Sequence, residues 1–303
     1  MAYSDPPDLL NFPTGRAAYS DRVSWVMAQF AELAYVTDLV PLTRELGKVG
    51  LTIVRQIVCE NKDVSTHAFL AYGKQFAVLA FRGTTKDLRD IITDIKFPMV
   101  PTSAGRMHEG FYGGYASVKR QVSELLAEVK DLPLYITGHS LAGALATVAA
   151  LDLDSQRIIA ACYTFGSPCV GDGNLDQDLK CPVYRVVNAS DVVTRVPAYI
   201  PLIFPYAHAG SLYYLTRNGK MLRSPGCFRV LAGRVWNMLI YVVLFPQIWW
   251  ISYAVRTGKR KKPSIAPPPL EDHKIANYTA KLFTEAKQRI EQNPLEGPTV
   301  AGC

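Results

Sequence analysis

Residues 137–143 read Thr137-Gly138-His139-Ser140-Leu141-Ala142-Gly143, and they constrain this chain more than any other stretch. Pro133–Thr137, just before, is a short apolar run of strand type, and Leu141–Leu153, just after, is a helical run of small and apolar residues. A strand that turns sharply into a helix exposes one side chain at the top of a sheet, and small neighbours let the turn close. The helix N-terminus lies beneath that side chain, so backbone N–H groups face any negative charge that develops there. A serine held in that place can attack an ester carbonyl. The usual pattern is Gly-x-Ser-x-Gly. Here Ala142 takes the last position and Gly143 follows, which predicts a slightly strained turn. On the motif alone, the alternative is an ordinary tight turn with a helix-capping serine.

The flanking pattern supplies a sheet for such an elbow. Apolar spacing predicts a helix from Asp21 to Val40 and another over Val118–Val129. Leu51–Cys59, His67–Tyr72, Gln75–Phe81, Ile158–Phe165 and Val183–Val187 read as strands, with a hairpin through Gly73. A last helix is expected at about Tyr278–Glu291. Alternating strands and helices predict an α/β fold, a mostly parallel sheet flanked by helices. At 303 residues and 49% hydrophobic content, one domain over 1–303 is expected.

A serine nucleophile needs a base and an acid, which in this architecture follow it along the chain. His208 and His273 are the two candidate bases. His273 lies in a polar loop just before the final helix, where access is natural. Asp191 follows a buried strand, Tyr184 to Asn188, that releases into a polar loop, so it is the leading acid. Asp172, in Gly171-Asp172-Gly173, is the second candidate.

Several blocks together resemble the fungal-type, or class 3, triacylglycerol lipases of the α/β-hydrolase superfamily. They are Phe81-Arg82-Gly83-Thr84, His108-Glu109-Gly110-Phe111, the elbow, Thr164-Phe165-Gly166-Ser167-Pro168, Arg185 to Asn188 with Asp191 and Pro197, and His208 with Gly210 and Tyr214. The resemblance runs from about Ser65 to Thr216, with a short match at His273. It implies a catalytic triad of Ser140, Asp191 and His273, and an oxyanion hole from the backbone N–H groups of Thr84 and Leu141. It leaves Asp172 a structural role. It also implies a short lid, which Thr85–Ile95 would fill. The implied activity is hydrolysis of glycerolipid acyl esters through an acyl-enzyme, with no metal or organic cofactor. A phospholipase A1 acting on bilayer lipids is the nearest alternative. A catalytically inactive, membrane-associated interaction protein on the same scaffold is the alternative of another class, and Ala142 is its support.

One stretch falls outside the resemblance. Val235–Val255 holds no charged residue and is interrupted by Pro246. Arg229, Arg234 and Arg256 through Lys262 bracket it, and prolines follow. Its length matches a bilayer-spanning helix. A single crossing would put Asp191 and His273 on opposite sides of a membrane, so a re-entrant or interfacial hairpin is the expected form of this 229–262 insert; a buried helix pair of the soluble domain, or a crossing with a different triad, are the alternatives. Trp236, Tyr241, Trp249, Trp250 and Tyr253 favour the lipid–water interface, and Lys259–Lys262 suit anionic headgroups.

Charge and cysteines narrow the setting. Lys and Arg number 33 against 26 Asp and Glu, a net +7. That balance fits an anionic membrane surface, and no nucleic-acid partner is expected, because the basic run is short and sits beside an apolar segment. Six scattered cysteines with no Cys-x-x-Cys pair read as core thiols of a reduced compartment. Without a basic region leading into an apolar run at the start, no secretory signal is expected. The expected location is cytoplasmic, on a membrane surface. Oligomeric state has no signature.

Overall fold

The structure is a computed structural model that describes residues 18–60, 65–83, 98–197, 205–223, 225 and 268–292. Thr84, the lid expected at Thr85–Ile95, the apolar run Val235–Val255 and Lys259–Lys262 lie outside the described residues.

Ten strands are described: β1 (Thr52–Glu60), β2 (Ser65–Tyr72), β3 (Ala77–Arg82), β4 (Met99–Thr102), β5 (Gly105–His108), β6 (Leu134–His139), β7 (Ile159–Phe165), β8 (Val183–Asn188), β9 (Ser211–Leu215) and β10 (Met221–Arg223). Eight of them form one sheet in the order β1-β2-β3-β6-β7-β8-β9-β10, while β4 and β5 pair apart. β3, β6, β7, β8 and β9 run parallel to one another, and the antiparallel pairs β1–β2, β2–β3 and β9–β10 lie toward the two edges. The expected α/β fold with a mostly parallel sheet is therefore the observed one.

Side chains alternate between two cores, as strand geometry requires. Along β6, Leu134 and Ile136 join the core beneath α3 (Glu109–Ala116), α4 (Lys119–Ala127) and α5 (Leu141–Leu153). Tyr135 joins the opposite core, under α1 (Asp21–Leu33), α2 (Leu39–Gly47) and the C-terminal α8 (Ile275–Gln292). Short helices α6 (Leu175–Asp178) and α7 (Pro268–Glu271) are the remaining α-helices among the described residues. Alanine-rich α5 is buried on all sides, because α3 packs outside it and its small side chains let both neighbours approach.

Local chemistry explains the differences from sequence expectation. The helix expected over Asp21–Val40 stops at Leu33, and α2 starts afresh at Leu39 with Asp38 as N-cap, its carboxylate accepting from the Val40 N–H at 2.9 Å. α3 is glycine-rich, and its start is fixed by His108, whose Nδ1 accepts from the Gly110 N–H at 3.1 Å. The last helix begins at Ile275, directly after the His273 loop. Among the described residues, Cys59, Cys162, Cys169 and Cys181 are free thiols.

Candidate active site

β6 ends at His139, α5 begins at Leu141, and Ser140 is the whole connection. Its φ of 62° and ψ of −133° lie where side chains are strained, at a cost of ~1–3 kcal/mol. The neighbours hold it there. The Ser140 N–H donates to the Phe165 carbonyl at 2.9 Å, and the Gly143 N–H donates back to the Ser140 carbonyl at 2.9 Å. A Cβ on Gly138 would collide with the Ala142 carbonyl, and one on Gly143 would lie 2.7 Å from Ser167 Cβ. Glycine is thus demanded at 138 and 143. Ala142 is fully buried in the helix, outside the positive-φ region, and needs no glycine there. The strain expected from Ala142 falls on Ser140 instead. Leu141 is the first residue of α5, so its N–H has no acceptor within the helix.

Asp191 sits just past β8, in a loop turned by Ala189 at φ 43°. The carboxylate is fully buried and its acceptors are all used. Its Oδ1 accepts from the Val193 N–H at 2.9 Å, and its Oδ2 accepts from the Tyr278 hydroxyl at 2.5 Å. His273 Nδ1 lies 2.9 and 2.8 Å from the two oxygens. That contact puts the imidazole proton on Nδ1 and leaves Nε2 with its lone pair. His273 is only 1% exposed. A Cβ on Gly166 would meet Asp191 Oδ2 at 2.7 Å and the His273 ring at 3.0 Å, so this residue leaves the pair its space.

His273 Nε2 and Ser140 Oγ are both buried and both lack a hydrogen-bond partner among the described residues. They are not bonded to each other, as is common in catalytic sites without substrate. One is an acceptor and the other a donor, so the site holds the two atoms that a proton transfer would use.

His273 is held in this place through side chains. Asn188 Nδ2 donates to the Asp272 carbonyl at 2.8 Å, and the Ser190 N–H donates to Asp272 Oδ2 at 3.0 Å. Lys281 Nζ donates to Asn188 Oδ1 at 2.6 Å. Tyr278 accepts from the Asn188 N–H at 3.0 Å while donating to Asp191. Burial first, and the Asp191 charge second, push the Tyr278 phenol well above the ordinary tyrosine range, so it remains a donor. Sequence reasoning missed Tyr278, Asn188 and Asp272.

The other two candidates have structural partners. Asp172 accepts from Arg106 Nε at 3.2 Å and from the Asn174 N–H at 3.1 Å. His208 Nε2 lies 2.8 Å from the Thr194 carbonyl, whose hydroxyl donates to the Asp191 carbonyl at 2.9 Å. His208 therefore braces the acid loop, while Asp191 bonds His273 and His139, next to Ser140, meets the His273 carbonyl.

A family model described as Lipase (class 3) matches residues 78–200, from β3 past Asp191. A lipase of Rhizomucor miehei is 35% identical over 172 residues, covering 50% of this chain and 46% of that protein. A chloroplastic phospholipase A(1) of Arabidopsis thaliana is 32% identical over 173 residues, covering 47% of this chain and 37% of that protein. The chain spans about half the length of the first curated relatives it matches. Among solved structures, the Rhizomucor miehei lipase propeptide complex superposes with a TM-score of 0.57 at 28% identity, over 67% of this chain and 71% of that one. Residues 78–200, which carry the elbow and the acid loop, match the class 3 lipase family, and the parallel sheet beneath them is shared with solved lipase structures.

Proposed function

We propose that the protein is a serine carboxylic ester hydrolase that cleaves acyl esters of glycerolipids through an acyl-enzyme on Ser140. The observation that carries this reading is the buried Asp191–His273 pair whose free Nε2 accompanies a strained, unpartnered Ser140 Oγ. His273 Nε2 takes the Ser140 proton as Oγ bonds to the ester carbonyl carbon. The electron pair moves to the carbonyl oxygen, where the Leu141 N–H at the start of α5 donates, together with Thr84 as the family resemblance implies. Collapse expels the alcohol oxygen, which leaves with the proton from Nε2. Water then attacks the acyl-enzyme, gives its proton to Nε2, and Ser140 recovers its own as the fatty acid departs. The Asp191 carboxylate faces the imidazolium as it forms.

Triglyceride and phospholipid are both candidate esters. The match to a phospholipase A(1) and the basic run 259–262 favour a bilayer phospholipid as the second reading. Release of fatty acid from phosphatidylglycerol vesicles and from a triglyceride emulsion, with wild type and Ser140→Ala, separates the two. No Ser140-dependent release from either ends the proposal. The inactive-scaffold alternative drew its support from Ala142, and the elbow gives it none.

The membrane surface is the proposed partner. Residue 223 ends β10 and residue 268 begins α7, and both belong to the body in which Asp191 bonds His273. A segment whose two flanks sit in one body would have to return to the side it left, which supports an interfacial hairpin at Val235–Val255 over a single span. Deleting 235–255 is expected to abolish liposome binding while short-chain ester hydrolysis partly survives. Liposome binding equal to wild type would refute it.

A further inference from the structure

We infer that His139, beside the nucleophile, is a positioning residue for the general base: its ring holds the main chain of residue 273, and Tyr35 fixes the ring's tautomer. The inference rests on the acyl-transfer reading above.

His139 is buried and uses both ring nitrogens. Nε2 lies 2.6 Å from the His273 carbonyl oxygen, and Nδ1 lies 2.9 Å from the Tyr35 hydroxyl. A carbonyl only accepts, so Nε2 carries a proton and donates it. In a neutral ring Nδ1 then holds a lone pair, and the Tyr35 O–H donates to it. One neutral tautomer satisfies both contacts. Burial first, and the neighbouring His273 second, push the His139 imidazole well below the ordinary histidine range, in agreement with that assignment. Burial pushes the Tyr35 phenol up, so it keeps the proton it donates.

The surroundings are built for this contact. The His139 and His273 rings are 4.6 Å apart, and the Tyr278 ring stands edge-on to His139 at 6.0 Å. Among the described residues, Tyr35, His273 and Tyr278 are the titratable groups facing the ring; Asp191 lies beyond His273, and Arg82 acts on Tyr35. Gly83 gives Tyr35 its path. A Cβ there would collide with the Tyr35 hydroxyl and lie 2.7 Å from the His139 carbonyl oxygen.

The two handles on His273 restrict different motions. Asp191 sets how the imidazole is turned, while His139 sets where the main chain carries it relative to the elbow. Charge adds a second requirement. His273 becomes cationic as Ser140 attacks, and a second cation 4.6 Å away would oppose it. The Tyr35 hydroxyl stabilises the neutral form of His139 and so removes that opposition.

The test uses the full chain, a short soluble p-nitrophenyl ester and a fluorophosphonate probe. His139→Ala is expected to lower kcat by about 10- to 100-fold, with KM changed by less than about threefold, because a displaced base costs rate rather than ground-state binding. His139→Gln, whose amide N–H can meet the same carbonyl, is expected to recover part of the loss. Tyr35→Phe is expected to move the acid limb of kcat/KM to higher pH and steepen it, since losing the donated hydrogen bond lets His139 take a proton there. A purely structural role would leave that limb in place. Wild-type kcat in His139→Ala, or an unmoved acid limb in folded Tyr35→Phe, overturns the inference. Failure to label Ser140 in wild type would instead sink the acyl-transfer reading itself.

Discussion

At the elbow, the contacts that set Ser140 come from its own turn and from the adjoining strand: the Phe165 carbonyl, the Gly143 N–H and the close approach of Gly138 to the helix backbone. The histidine loop is held otherwise. Its anchors are side-chain bonds between residues far apart in the chain, Asn188 to Asp272, Ser190 to Asp272, Tyr278 to Asp191 and His139 to His273. Ser140 is thus placed by backbone strain and excluded volume, and His273 by a polar network in a buried setting. The difference teaches where each half is vulnerable. Volume changes break the elbow, while single hydrogen bonds break the loop.

Substitutions can sharpen or break that contrast. Ser140→Ala removes the nucleophile without disturbing either support, so ester hydrolysis should fall on the order of 10⁴-fold or more with an unchanged melting curve. A retained rate would mean that the elbow does not carry the chemistry. Gly138→Ala puts a methyl against the Ala142 carbonyl, and overpacking against backbone predicts a loss of about 3 kcal/mol or more in denaturant unfolding. A neutral result there would show the elbow to be as adjustable as a surface loop. Tyr278→Phe removes a charge-assisted donor from Asp191, with an expected cost of about 2 kcal/mol in stability and a drop in kcat. Asp272→Ala frees the Ser190 N–H and should cost about 1 kcal/mol, with a smaller loss of rate. Equal losses from these last two would argue that the loop is held as one block rather than bond by bond.

The same contrast explains what was legible in the sequence. Thr137 to Gly143 is contiguous, so strand, turn, serine and helix can be read together, and the alternating apolar runs give the parallel sheet. Asp191 was legible because a strand visibly ends before it. Tyr278 was not. It read as the first residue of the last helix, whereas the helix begins at Ile275 and presents Tyr278 to the acid from within its first turn. Tyr35 was read inside one long helix over Asp21–Val40, and only the break after Leu33 frees it to reach His139. Such contacts join residues with no shared periodicity, so no local pattern announces them. Gly83 and Gly166 show the intermediate case. Both stand in blocks that carried the resemblance, and the structure supplies the reason, a hydroxyl beside one and the acid–base pair beside the other.

The most direct test of the convergence of these two regions is the rate of fluorophosphonate labelling, with the modified peptide mapped, in wild type and His273→Ala. The account predicts label on Ser140 in wild type and a rate lower by about 10³-fold or more in the variant. Equal rates in the two proteins, or label on another residue, would contradict it.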